Sequence, residues 1–134
     1  MPPSVTFHNY QGTQQKSDDF HYSQAVKVGN IVKTSGQGGW TESGSMPEDP
    51  AKQVELAFAN VALALRSVEP SLGWNNVFAV RTYHTSIDET VDFVIEKFKE
   101  VMSGHRPVFT CVEIGKLGIP GLKVEMEVEA IIKE

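Results

Sequence analysis

From Val124 to Glu129, apolar and acidic residues alternate without a break: Val124, Met126 and Val128 against Glu125, Glu127 and Glu129. A helix would scatter these side chains around its circumference, whereas an extended strand sorts them onto two faces. The pattern predicts a strand over 123–132 with one face in a core and three carboxylates on the other. Like charges ranged along one sheet face repel. That face must therefore meet solvent, counter-charges or a wet cavity.

A strand with one apolar face needs a second layer, and two segments supply it. Asp49-Pro50 reads as an N-cap followed by proline at the first helical position. Val54, Ala57, Phe58, Val61, Leu65 and Val68 then recur at helical spacing, predicting a helix over 50–69 that Pro70 stops. Ser86 and Glu89 have the spacing of a capping box, and Val91, Val94, Ile95, Phe98, Val101 and Met102 form a second stripe ending at Ser103-Gly104. Val5–Tyr10, Val77–Thr85 and Val108–Ile114 read as strands, and residues 11–20 as a polar loop. Gly29-Asn30 between two β-prone runs predicts a two-residue hairpin. The order β-β-β-α-β-α-β-β predicts an α+β fold, one sheet with two helices packed on one face. Its other face is left open, and a chain this small covers such a face by packing on copies of itself.

The 134 residues suffice for one domain, 1–134, and 40% hydrophobic with 22% charged residues excludes wholesale disorder. No apolar run approaches the roughly 18–20 residues of a membrane span. Twelve basic against 17 acidic residues leave a net charge of −5 without a Lys/Arg cluster, which argues against a nucleic-acid partner. Cys111 is the only cysteine, and Met1-Pro2-Pro3-Ser4 begins no secretory leader, so a cytoplasmic address is expected. His8, His21, His84 and His105 are scattered without ligand spacing, and no metal site is expected. His84 reads as structural. The glycine-rich Ser35–Gly39 run lacks phosphate-loop spacing and reads as a ligand-facing or interface loop. Cys111 reads as a pocket wall rather than a nucleophile. Any of the three glutamates is a candidate acid or base, against the commoner role of a solvated strand face.

Several segments together resemble one family. Tyr22-Ser23-Gln24-Ala25-Val26-Lys27-Val28-Gly29-Asn30 and Thr34-Ser35-Gly36-Gln37 are similar to the N-terminal signature of the Rid (YjgF/YER057c/UK114) family. Thr110-Cys111-Val112-Glu113 and Val124-Glu125-Met126-Glu127 resemble its C-terminal one. The resemblance implies a chorismate-mutase-like fold of the bacillus type and a homotrimer with clefts between subunits. It also implies hydrolysis of enamine or imine intermediates such as 2-aminoacrylate to a 2-keto acid and ammonia, with no metal or organic cofactor. Carried over by position, the cleft would hold Tyr22, Ser35, the Gly36 backbone, Cys111 and Glu125. Glu125 would orient or deprotonate the attacking water, with Tyr22 and Ser35 positioning substrate. A different alignment of the preceding loop gives Glu127 that place.

The chain departs from the family at one position. Active members carry a carboxylate-clamping arginine immediately before the Ser/Thr-Cys-Val-Glu segment, where this chain has Phe109, ahead of Thr110. Arg106 stands three residues earlier, and regular strand geometry would point it to the opposite face unless a bulge at Pro107 intervened. The chain thus resembles an arginine-lacking branch, with Phe109 and Trp40 making the cleft more apolar. Three readings stay open: an imine hydrolase relying on Glu125, a non-catalytic small-ligand-binding or chaperone-like trimer, and the ribonuclease of the family's older name, which the net charge disfavours.

Overall fold

A computed structural model describes residues 4–133. The elements in chain order are β1 (Val5–His8), α1 (Gln14–Phe20), β2 (Ala25–Val28), β3 (Ile31–Thr34), β4 (Gln37–Gly38), α2 (Pro50–Val68), β5 (Val77–His84), α3 (Ile87–Val101), β6 (Val108–Glu113) and β7 (Val124–Ile131). All strands join one sheet in the order β1-β2-β3-β7-β5-β6, with β4 also on β7. Every pairing is antiparallel except β5 with β6, which α3 connects.

The predicted order is present with two short additions. One is β4, in the glycine-rich loop. The other is α1, where a loop was expected: it buries no residue, so no apolar stripe announces it. Its local supports are Gln14 and Gln15, which donate to Asp18 and Asp19 one turn on at 3.1 and 2.9 Å. His21 closes it in the left-handed region, at φ 59°, with its N–H on the Ser17 carbonyl.

The alternation in β7 sorts as expected. Val124, Met126, Val128 and Ala130 are buried, whereas the three glutamates are half-exposed on the other face. The buried row packs beneath Val54, Ala57, Phe58, Val61 and Leu65 of α2. From α3 only Thr90 and Val94 are buried, and Ile95 of its predicted stripe stays 38% exposed. An aromatic row carries the packing outward: Phe58 stacks on Trp74 at 4.7 Å and meets Phe98 at 5.7 Å, and Phe98 meets Phe109 edge-on at 4.9 Å.

The hairpin and first helix start form as predicted. Val28 pairs with Ile31 across Gly29-Asn30, with Gly29 at φ 61°. Asp49 accepts from the Ala51 N–H at 3.1 Å, with Pro50 at the first helical position. The Ser86 capping box does not form. The Ser86 hydroxyl caps nothing, and the Glu113 carboxylate from β6 accepts the Ile87 N–H at 3.0 Å instead.

On the open face the acidic ladder has partners. Glu129 faces Arg81 at 3.4 Å and Lys33 at 3.7 Å, and Glu127 accepts from the Tyr83 hydroxyl. The strand register places Val5, Phe7, Val108, Val112 and Ile131 on this same face, where all five are exposed.

His84 is fully buried on the helix side between Thr82 and Thr90. The Thr90 hydroxyl donates to the Ser86 carbonyl, so it accepts from His84 Nδ1–H, and Nε2 accepts from Thr82 at 2.7 Å. Burial holds the imidazole below the usual histidine range, opposed by nearby Glu113. The unfolded chain, titrating near about 6.5, then binds more protons below that pH than the folded one. Stability is complete above the unfolded value and falls as pH drops through it. Urea midpoints followed from about pH 7.5 to 5 should fall more steeply in the wild type than in His84→Gln; equal slopes would contradict this.

Candidate functional site

Glu125 lies between Gly38 of β4 and Tyr83 of β5 in the ladder. β3 leaves β7 after Lys33 and β4 rejoins it at Gln37, so Thr34 stays paired with Ala25 of β2 while Ser35 and Gly36 arch away from the sheet. Thr34 Oγ1 accepts the Val128 N–H at 3.1 Å, replacing a backbone partner lost there. The Glu125 carboxylate lies against the α-carbon of Gly36: a β-carbon there would fall 1.9 Å from Oε1. Only glycine leaves that space. Burial pushes the Glu125 carboxyl above the usual carboxylate range and Glu127 adds to this, while the Lys16 ammonium pulls it back. The same burial weakens the hold of Lys16 on its proton, with Glu125 opposing.

Hydrogen bonds fix Ser35 in this arch and tie Tyr22 to Gln24. Ser35 donates its N–H to the Gln24 carbonyl at 2.8 Å and its hydroxyl to the Ser23 carbonyl at 2.7 Å. Its hydroxyl proton is thus committed to holding the loop. Tyr22 Oη accepts from Gln24 Nε2 at 3.1 Å, which directs its own proton elsewhere. Behind it runs a buried chain: Trp40 Nε1 donates to Tyr10 Oη, Tyr10 to Gln37 Oε1, Gln37 to Gln24 Oε1, and Gln24 to Tyr22. Tyr10, Lys16, Gln24 and Gln37 escaped the sequence reading. The available signal was a glutamine in each of the two N-terminal signature segments, at positions now fully buried.

The second predicted group lies on β6 at the sheet edge. Phe109 pairs with Val80 and Cys111 with Thr82, which places both on the helix side; Thr110 pairs with Arg81 on the open side. Phe109 rests on Phe98 of α3, and Cys111 is half-buried. Arg106 precedes the first residue of β6, so strand alternation does not govern it: Arg106 and Phe109 line one recess of about 670 Å³ with Phe98, Lys99 and His105. Within one chain, β5 separates β6 from β7, and Phe109 and Cys111 lie on the opposite face from Glu125. Trp40, expected with Phe109 to make the cleft more apolar, is buried within one chain next to Tyr10 and Lys16. Among the described residues no three His, Cys, Asp or Glu side chains gather as a metal would need, and no helix is long and apolar enough to cross a membrane.

A family model described as Endoribonuclease L-PSP matches residues 15–132. The chain belongs to this family, also called YjgF/YER057c/UK114. Among relatives, Protein mmf2, mitochondrial, of Schizosaccharomyces pombe is 31% identical over 115 residues, covering 84% of this chain and 87% of that protein. Rv2704 of Mycobacterium tuberculosis superposes with a TM-score of 0.79 at 28% identity, over 96% of this chain and all of the other. Escherichia coli TdcF with bound serine superposes at 0.74 and 25% identity, over 84% of this chain and 88% of that one. The chorismate-mutase-like α+β fold expected from the sequence is the family's fold. Chemically, the Gly36 arch presents a half-dry carboxylate, a group suited to moving a proton onto or off a small polar substrate.

Proposed function

We propose that the chain forms a homotrimer whose intersubunit clefts bind small 2-imino and 2-oxo acids and hydrolyse the imines to 2-keto acid and ammonia. The observation that carries this reading is the Glu125 carboxylate seated on Gly36, dry enough for its affinity for protons to rise. In the reaction Glu125 takes a proton from water as the oxygen bonds to the imine carbon. That proton passes to the imine nitrogen, giving a neutral carbinolamine, and Glu125 then carries the carbinolamine hydroxyl proton to the nitrogen as the carbon–nitrogen bond breaks, the carbonyl forms and ammonia leaves. Tyr22 orients water or substrate through its free O–H. The bound serine of TdcF is a ligand of similar size that carries the same carboxylate. The exposed apolar residues of the open sheet face support self-association, which would bring the β6 edge of one subunit to the Gly36 arch of its neighbour.

In that cleft Phe109 would occupy the arginine's position, and Arg106 in the same recess would supply the cation for the substrate carboxylate. A charge-assisted hydrogen bond contributes about 1.5–3 kcal/mol, so Phe109→Arg should raise imine hydrolysis about tenfold or more. The check supplies 2-aminoacrylate from a serine dehydratase and follows keto-acid release against the spontaneous rate. No acceleration by either protein would overturn the hydrolase reading. Phe109 itself favours a second reading, a non-catalytic binding or chaperone-like trimer, which predicts saturable 2-oxobutyrate binding without turnover. RNA cleavage is the least supported, because the ladder Glu125, Glu127 and Glu129 would repel phosphates.

A further inference from the structure

A separate cavity of about 550 Å³ lies beyond Trp40, enclosed by α1, α2 and the loops around 40–46 and 118–120. Tyr22, Ser35, Gly36, Glu125 and the β6 residues take no part in its wall. Its size falls within the usual range for small-molecule sites, and its lining is largely apolar: Trp40, Phe20, Met46, Leu63 and Ile119. Phe20 and Leu63 at its margin are 72% and 43% exposed, large apolar surfaces that no described residue covers.

The polar groups in its wall are mostly spoken for. Tyr10 Oη already bonds Gln37 and Trp40, Asn60 Nδ2 holds the carbonyls of Gly38 and Trp40, and Thr13 donates to the Tyr10 carbonyl. Thr41 bonds Ser45, and Glu42 is exposed with its stem against Gly12. Lys16 remains. Its ammonium lies 3.9 Å from the centroid of the Trp40 ring, and among the described residues it forms no ion pair within 4.0 Å. An ammonium partly stripped of water over an aromatic face gains more from an anion than a solvated lysine does.

We infer that this cavity is a second small-molecule site, taking a compact aromatic or branched apolar acid with its carboxylate on Lys16 and its body against Trp40, Phe20 and Leu63. The site accounts for the apolar margin and for the one unpaired cation in the wall with a single ligand class.

The probe is phenylacetate, titrated into the full chain by isothermal calorimetry beside neutral 2-phenylethanol. Saturation at one phenylacetate per chain is expected, with weaker binding of the alcohol. Lys16→Met, which keeps the apolar stem, should weaken phenylacetate about tenfold or more and leave the alcohol unchanged. Lys16→Arg should retain most of the affinity, and Leu63→Glu should weaken both probes. Circular dichroism melting of each variant confirms that it is folded. Absence of saturable phenylacetate binding, or equal affinity in Lys16→Met, would overturn the assignment.

Discussion

Gln53→Ala should lower stability by roughly 3 kcal/mol or more, read as a drop in the urea midpoint without a change in its slope. The side chain is fully buried on α2 and makes three hydrogen bonds to backbone: Nε2 to the Pro47 and Gly121 carbonyls at 2.8 and 2.9 Å, and Oε1 from the Lys123 N–H at 2.8 Å. Each partner left without a mate costs about 1–3 kcal/mol, the lower end applying where water reaches it. Gln53→Glu should be nearly as harmful, since a carboxylate would face two carbonyls where an amide donated. Gly39 packs so closely on the same turn that a β-carbon there would come within 2.6 Å of the Gln53 α-carbon, which leaves the helix no room to adjust. Two of the three bonds, to Gly121 and Lys123, also clip the loop before β7 to α2, ending two residues ahead of Glu125. A change under about 0.5 kcal/mol, the level of an ordinary surface substitution, would show that this clip is dispensable.

The second large effect is on chemistry. Glu125→Gln should reduce imine hydrolysis by about 10²–10⁴-fold, the usual contribution of a positioned acid–base group. Gly36→Ala should act in the same direction by another route. Its β-carbon would take the space of the Glu125 carboxylate, 1.9 Å from Oε1 and 2.5 Å from Cδ, and the flexible glutamate would swing away. Gly36 has no positive φ, so alanine brings no backbone strain, and the melting temperature should hardly move. Because both changes act on one carboxylate, their effects should not add: Gly36→Ala in a Glu125→Gln background should cost little more. Multiplicative losses in the double variant would mean that Gly36 serves the site independently of Glu125.

What could be read from the sequence was local. The β7 alternation, the Gly29-Asn30 turn and the Asp49-Pro50 start each carry their structural reason within a few residues, and each forms. What could not be read depends on partners distant in the chain. The Ser86-Glu89 box lost to Glu113, 26 residues from the N–H it accepts. α1 is stabilised by side chains on its own surface and by Lys16 on Trp40, so no apolar period marks it. Gln24 and Gln37 sit at inward positions where polar residues count against burial, and only their mutual bond reconciles them with a dry interior. In the site, period-two spacing found the Glu125 face. That Phe109 leans on Phe98, and that Arg106 shares its recess, follows from the β5–β6 register and from where β6 begins.

The sheet order has a consequence for how the protein is made. β7 follows every other strand in the chain, yet it lies between β3 and β5 and joins the β1–β3 set to the β5–β6 pair. During synthesis both flanking sets emerge before the strand that unites them, each with one long side unbonded. Closure must await long-range pairing, the slow step for sheets of this kind. Until then the unbonded sides of β3 and β5 are open to strands of neighbouring nascent chains. The centre of the sheet therefore forms last, and the alternating segment from Val124 to Glu129 is the piece that ends the exposed interval.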